Sequence, residues 1–187
     1  PSTDDDYIYL SSGTWSLMGV LLDQPIISKE SMAADMTNEG GFDGKSRFLK
    51  NIVGLWLVQE CRRQWAREGK KYSYAELTDM ASQAPPLVSL SEPGESRFMA
   101  PKHMPRAIQE YCQETGQVVP ESKGAIIRAV LESLALEYRS VAEQIEKLTG
   151  KAYPVIHIIG GGTQNKLLNQ FAANATGKSV VAGPVEA

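Results

Sequence analysis

The sequence predicts an α/β domain, a mixed sheet flanked by helices, and three observations predict it. Two β-prone runs open the chain, a long amphipathic stretch fills residues 123–148, and a nearly continuous apolar run, Val155-Ile156-His157-Ile158-Ile159, stops abruptly at Gly160-Gly161-Gly162. Two extended runs followed by a helix-strand-helix-strand alternation are the pattern of helices laid on a sheet. With 187 residues, 42% hydrophobic and 22% charged, the chain is large enough to bury one core.

Tyr7-Ile8-Tyr9-Leu10 and residues 15–22 are rich in β-branched and aromatic side chains, and Ser11-Ser12-Gly13-Thr14 separates them, so a hairpin is expected. A third extended piece is expected at residues 36–39, before the glycine-rich loop Gly40-Gly41-Phe42-Asp43-Gly44. Across residues 46–68 the apolar positions Phe48, Leu49, Ile52, Val53, Leu55, Trp56, Cys61 and Trp65 recur at three-to-four spacing. That spacing predicts one amphipathic helix, stopped by Gly69. A shorter helix is expected at 74–83, ended by Pro85-Pro86, because proline disfavours helical geometry in the residue before it. Residues 85–105 read as irregular, and the segment around Cys112 as helical. The longest helix, 123–148, places Ile127, Val130, Leu134, Tyr138, Val141 and Ile145 on one face, with Gly150 as its stop. The run at 155–159 reads as a strand covered on both faces. Thr163 then caps a helix at 164–175 with Gly177 as its stop, and residues 179–182 form a last strand.

Composition excludes several classes of function. A net charge of -3 and a pI near 5.5 leave no cationic excess for a phosphate backbone, so no nucleic-acid partner is expected. Cys61 and Cys112 lack the spacing of a zinc site or a disulfide framework, which points to the reducing cytoplasm. No leader and no apolar run near the ~20 residues of a membrane span is visible, so no membrane partner is expected. The ends at Pro1 and Ala187 read as cuts within a longer protein.

Two turns carry the strongest chemical signals. In Ser11-Ser12-Gly13-Thr14 a glycine free to take positive φ, flanked by hydroxyls and N–H groups, can converge on a phosphate; the same residues also make ordinary hairpin turns. In Gly160-Gly161-Gly162-Thr163-Gln164-Asn165 an apolar strand delivers bare backbone to a helix start, which suits an anionic ligand, or else close packing alone. The loop matches neither G-x-G-x-x-G nor a Walker A motif. Asn51 and Gln59, eight residues apart, share a face of the expected helix 46–68, where they either reach a ligand or face solvent. His157, inside an apolar strand, reads as structural, His103 has no acid near it in sequence, and Arg62, Arg63 and Arg67 read as a solvated face near a helix end. No Ser-His-Asp or Cys-His set, metal cluster or placed carboxylate pair is evident, so no catalytic residue and no metal ligand is assigned.

The order of these motifs resembles the FGGY family of carbohydrate kinases, in its rhamnulokinase branch. The resemblance runs through Tyr9-Leu10-Ser11-Ser12-Gly13-Thr14-Trp15-Ser16-Leu17, Thr37-Asn38-Glu39-Gly40-Gly41, Arg47-Phe48-Leu49-Lys50-Asn51-Ile52-Val53-Gly54-Leu55-Trp56 with Gln59-Glu60-Cys61-Arg62-Arg63, and Glu132-Ser133-Leu134-Ala135. It continues through residues 160–165 to Ala182-Gly183-Pro184-Val185-Glu186-Ala187 and so covers essentially the whole chain. It implies an actin-like, ribonuclease-H-like fold. It also implies that residues 1–187 are the second of two such domains, with the N-terminal domain and the closing C-terminal helices absent and apolar surface exposed in consequence. It implies ATP and Mg2+ as cofactors and a sugar substrate, with ATP-dependent phosphorylation of a ketose, L-rhamnulose in the first place. L-fuculose or another ketose, and a non-catalytic actin-fold module, are the alternatives. By position, Gly13 and Thr14 would meet the phosphates, Asn51 and Gln59 would line the nucleotide side, and Gly161, Gly162 and Asn165 would pack on the adenosine. The family's catalytic aspartate would precede Pro1, so Asp4, Asp5 and Asp6 are not given that role, and this chain alone is expected to be inactive.

Overall fold

The hairpin forms where the sequence places it: β1 (Tyr7–Ser12) and β2 (Trp15–Leu22) pair antiparallel, with Tyr9 opposite Gly19 and Ser12 opposite Ser16. The computed structural model describes residues 7–183; Asp4, Asp5, Asp6 and residues 184–187, used in the sequence reading, lie outside the described residues. Beyond β2 come α1 (Lys29–Ala33), the expected short strand β3 (Thr37–Gly40) and β4 (Ser46–Val53), then α2 (Trp56–Arg67), α3 (Tyr74–Gln83), α4 (Met104–Glu114) and α5 (Lys123–Thr149). The strand β5 (Val155–Ile159), the helix α6 (Lys166–Thr176) and β6 (Ser179–Ala182) complete the fold. The sheet runs β3-β4-β2-β1-β5-β6, antiparallel through β3, β4, β2 and β1, and parallel from β1 to β5 and from β5 to β6. It is the mixed sheet flanked by helices that the pattern predicts.

The single helix expected over residues 46–68 does not form: its first third is β4, paired to β2 and β3, and the helix begins only at Trp56. Adjacent residues of a strand point to opposite faces. β4 lies between β3 and β2, and each of its faces buries two residues, Phe48 and Ile52 on one and Leu49 and Val53 on the other, while Arg47 and Asn51 stay exposed. Buried pairs four residues apart imitate a helical stripe. Gly54 marks the break, because a Cβ there would stand 2.6 Å from the Gly13 carbonyl and 2.6 Å from Ser16 Oγ. Gly19 similarly admits β4, since its Cβ would lie 2.5 Å from that of Leu49.

α5 packs on β2 and β4 and carries α3 and α6 against its sides. Tyr138 at its centre is fully buried, its hydroxyl 3.2 Å from Ser16 Oγ. Ile8, Leu10, Met18, Ile156 and Ile158 form the sheet's side of the same core. In β5 only Ile156 and Ile158 are buried, while Val155, His157 and Ile159 are half-buried, so the strand is covered on one face and not on both. His157 meets the ring of Tyr7 edge-on at 4.7 Å between centroids, the packing role expected for it.

The helix ends follow their signals with two exceptions. α3 opens on a capping box, Ser73 with Glu76, and α5 closes on Gly150 at φ 69°. α6 is capped by Asn165, whose Oδ1 accepts from the Leu168 amide at 3.0 Å, and not by Thr163, whose hydroxyl turns back to the Gly160 carbonyl at 2.7 Å. α4 begins at Met104, inside the stretch read as irregular, with His103 as its cap: Nδ1 accepts from the Arg106 amide, and Nε2 lies 3.0 Å from Glu68. Among the described residues no helix is long and apolar enough to cross a membrane.

Candidate functional site

Two turns meet because β1 and β5 are parallel neighbours, in register from Tyr7 with Val155 to Ser11 with Ile159. The hairpin turn and the triple-glycine loop therefore leave the sheet side by side, at its carboxyl edge. There the three glycines divide their work. A Cβ on Gly160, at φ 86°, would stand 2.9 Å from the Ser12 carbonyl. One on Gly162 would stand 2.0 Å from Ser12 Oγ and 2.5 Å from Ser12 Cβ. These two glycines serve close packing against β1. Gly161 has nothing within 4 Å of such a carbon and is exposed.

The hairpin turn is fastened to the start of α2. The Gly13 carbonyl accepts from the Leu55 amide at 2.8 Å, and the Thr14 carbonyl from the amides of Gly54 and Trp56, both at 3.1 Å. The Gly13 amide donates to the Trp15 carbonyl at 3.1 Å, a bond within the turn. Thr14 remains as the turn's outward group, its hydroxyl donating to Gln59 Oε1 at 3.1 Å.

Between these turns and α3 lies a cavity of about 740 Å³. One side is Gly13, Leu55, Val58 and Gln59; the second is Tyr74, Ala75, Thr78, Asp79 and Ser82 of α3. The third side is Gly161, Gly162, Gln164 and Asn165 with Lys166, Leu167 and Gln170 of α6. Of the residues proposed from sequence, Gly13, Gln59, Gly161, Gly162 and Asn165 line this one space, and Thr14 joins it through Gln59. Asn51 does not. It lies on β4 and lines a separate depression with Trp15, Lys50, Glu92 and Glu137, because the shared helical face that tied it to Gln59 does not exist.

The cavity combines apolar side chains and bare backbone with polar groups of both charges. Leu55, Val58 and Leu167 are apolar, Gly161 offers bare backbone, and the charged groups on the lining are one carboxylate, Asp79 on α3, and one ammonium, Lys166 at the start of α6. Its volume falls in the ~300–1,000 Å³ range of small-molecule sites. Among the described residues no three His, Cys, Asp or Glu side chains gather closely enough to hold a metal ion. Cys61 and Cys112 are free and buried, and burial pushes both thiols up in pKa, away from nucleophilic use.

The wall that sequence reading missed is α3. Its signal is a stripe of small and polar residues, Ala75, Thr78, Asp79 and Ser82 at helical spacing, opposite the buried Leu77 and Ala81.

Comparison with known proteins bears on this geometry. Residues 8–187 match the family model described as the FGGY family of carbohydrate kinases, C-terminal domain. The chain is 50% identical over 187 residues to a rhamnulokinase of Bacteroides thetaiotaomicron, an alignment covering 100% of this chain and 38% of that protein. It is 46% identical over 182 residues to a rhamnulokinase of Halalkalibacterium halodurans, covering 97% and 38%. The chain thus spans about 38% of the length of these relatives. Among solved structures, ligand-bound xylulose kinase from Lactobacillus acidophilus superposes with a TM-score of 0.68 at 19% identity, covering 96% of this chain and 35% of that one, a likeness of fold.

Proposed function

We propose a function from one established premise: this chain belongs to the FGGY family of carbohydrate kinases, and its mixed sheet flanked by helices is the actin-like ATPase fold of those enzymes. In this reading residues 1–187 are the second, nucleotide-binding domain of a longer cytoplasmic kinase. That kinase transfers phosphate from ATP, with Mg2+, to a ketose, turning L-rhamnulose into L-rhamnulose 1-phosphate. The observation that carries the reading is the convergence of the hairpin turn, Gln59 and the triple-glycine loop on one cavity. The choice of sugar rests on the 50% and 46% identity to rhamnulokinases.

Phosphoryl transfer asks a protein mainly for positioning and for donors aimed at developing charge. Gly161 and the start of α6 receive the nucleoside, where a side chain would hold it off. Thr14 is pre-aimed by Gln59 at 3.1 Å. When a phosphate oxygen arrives, the hydroxyl turns to it, and Gln59 can rotate its amide N–H into the space left. Bound magnesium would neutralise the phosphates. The base that accepts the sugar hydroxyl's proton belongs to the part of the enzyme that holds the sugar, upstream of Pro1, so this chain alone binds without turning over.

Two measurements test the proposal. Titration of the chain with ATP should show saturable binding that Thr14→Ala or Gln59→Ala weakens by about 3- to 30-fold, the cost of one or two lost hydrogen bonds. The parent enzyme should release ADP faster with L-rhamnulose than with L-fuculose. Saturation by ATP with the Thr14 and Gln59 variants unaffected would remove these residues from the site. Preference for L-fuculose would overturn the sugar, and turnover by the isolated chain would overturn the division of labour.

A further inference from the structure

The long walls of the cavity, α3 and α6, both stand on α5, and a single α5 side chain grips both. Arg128 Nη1 donates to the carbonyls of Ala81 and Ser82, at 3.1 and 3.2 Å, at the carboxyl end of α3. Its guanidinium carbon lies 5.1 Å from the centroid of the Phe171 ring on α6. Ser82 lines the cavity, and Phe171 follows Gln170, which does too. Arg128 itself does not. It opens on a different depression, beside Val88, Val118 and Ser122.

The grip is itself held. Arg128 Nε donates to Glu132 Oε1 at 2.7 Å, one turn along α5, and Glu132 Oε2 accepts the Leu87 amide at 2.8 Å. Leu87 stands at φ 52°, a left-handed conformation costly for a leucine, just after α3 ends. The side chains of Arg128 and Glu132 are only 12% and 6% exposed.

A buried ion pair is a poor source of stability, and an apolar pair of the same volume often does as well. What apolar side chains cannot do is bond the terminal carbonyls of α3, or fix a helix separation by a planar fork set over an aromatic ring. We propose that Arg128, oriented by Glu132, is a positioning residue that sets the gap between α3 and α6, and with it the fit of the nucleoside part of the bound nucleotide. The inference rests on the nucleotide reading of the cavity. It predicts a division within the ligand: the nucleoside lies between the walls that Arg128 joins, whereas the phosphates meet the Thr14 turn, which Arg128 does not touch.

The test titrates the chain with ATP and, separately, with inorganic tripolyphosphate, for Arg128→Met, Arg128→Lys and Glu132→Gln, each checked for folding by its melting curve. Arg128→Met should weaken ATP about tenfold or more and leave tripolyphosphate within about twofold. Arg128→Lys should recover part of the loss, because an ammonium reaches one carbonyl but offers no planar face to Phe171. Should Arg128→Met not fold, the milder Arg128→Lys and Glu132→Gln decide, each expected to weaken ATP and spare tripolyphosphate. Unchanged ATP affinity, or equal loss for both ligands, would overturn the positioning role. Failure of the unsubstituted chain to bind ATP would instead remove the nucleotide reading on which it stands.

Discussion

Alanine at Gly162 and at Gly161, one at a time, separates packing from binding within a single loop. At Gly162 the new carbon would fall 2.0 Å from Ser12 Oγ and 2.5 Å from Ser12 Cβ. The hydroxyl can rotate away. The Cβ cannot, because it is fixed to β1, and Ser12 is only 2% exposed. The loop or the strand must therefore shift, and an overpacked methyl of this kind costs about 1–3 kcal/mol. In a domain of this size that lowers Tm by roughly 2–12 °C. At Gly161 the new carbon meets nothing within 4 Å, so stability should stay within about 0.5 kcal/mol of the parent. The same methyl, however, stands on the cavity wall and should weaken ATP about tenfold, or 1.4 kcal/mol. Melting followed by circular dichroism reads the first effect and calorimetric titration the second. A Gly161→Ala protein that melts as low as Gly162→Ala, or that binds ATP as tightly as the parent, would refute the assignment of one glycine to packing and the other to the ligand.

The ion pair at the far end of α5 gives a pH prediction. Glu146 accepts from the Lys178 ammonium and, at 2.9 Å, from the Tyr153 amide. Burial alone would raise its pKa, but these partners outweigh it and hold the carboxyl below the usual range. A depressed folded pKa contributes stability above the unfolded value, about 4.3, that is lost as pH falls through the folded one. The stability difference between the parent and Glu146→Gln should accordingly be full at neutral pH and shrink in acid; denaturant melts that show the same difference at every pH would contradict it. Gly150→Ala forces a side chain into the left-handed cap of α5 at φ 69° and should cost about 1 kcal/mol, or roughly 2–4 °C in Tm, with ATP affinity unchanged because Gly150 is remote from the cavity. Coupled loss of ATP binding would mean that the end of α5 is linked to the site.

Local signals were enough wherever one residue type has one use. The proline pair Pro85-Pro86 after α3, the stop at Gly150 and the β-branched run before Gly160 each placed an element within a residue or two of where it lies. They failed where tertiary context sets the pattern. Interior β4, with two residues buried on each face, carries its buried residues in pairs, and pairs four apart are indistinguishable from a helical stripe without knowing the neighbours. Gly54 and the β-branched Ile52-Val53 before it were the available warning. Misreading β4 put Asn51 on one helical face with Gln59; that face does not exist, and Asn51 lines a separate depression, so only its position in the family resemblance still pairs the two.

The cavity shows why neither turn was decisive alone. Ser-Ser-Gly-Thr is a common hairpin turn and three glycines a common packing device, and the structure finds each of those plain uses: Gly13 bonds within its own turn, and Gly160 and Gly162 clear Ser12. The site arises from their juxtaposition, set by one parallel pairing, β1 on β5, across nearly 150 residues of chain. Parallel pairing is what brings both turns to the same edge of the sheet, since parallel neighbours end together. Reversing β5 would keep every local motif and send the glycine loop to the opposite edge, away from Thr14. The information for binding therefore lies in the crossover through α2, α3, α4 and α5, and the same crossover supplies the α3 wall and the Arg128 grip that joins it to α6.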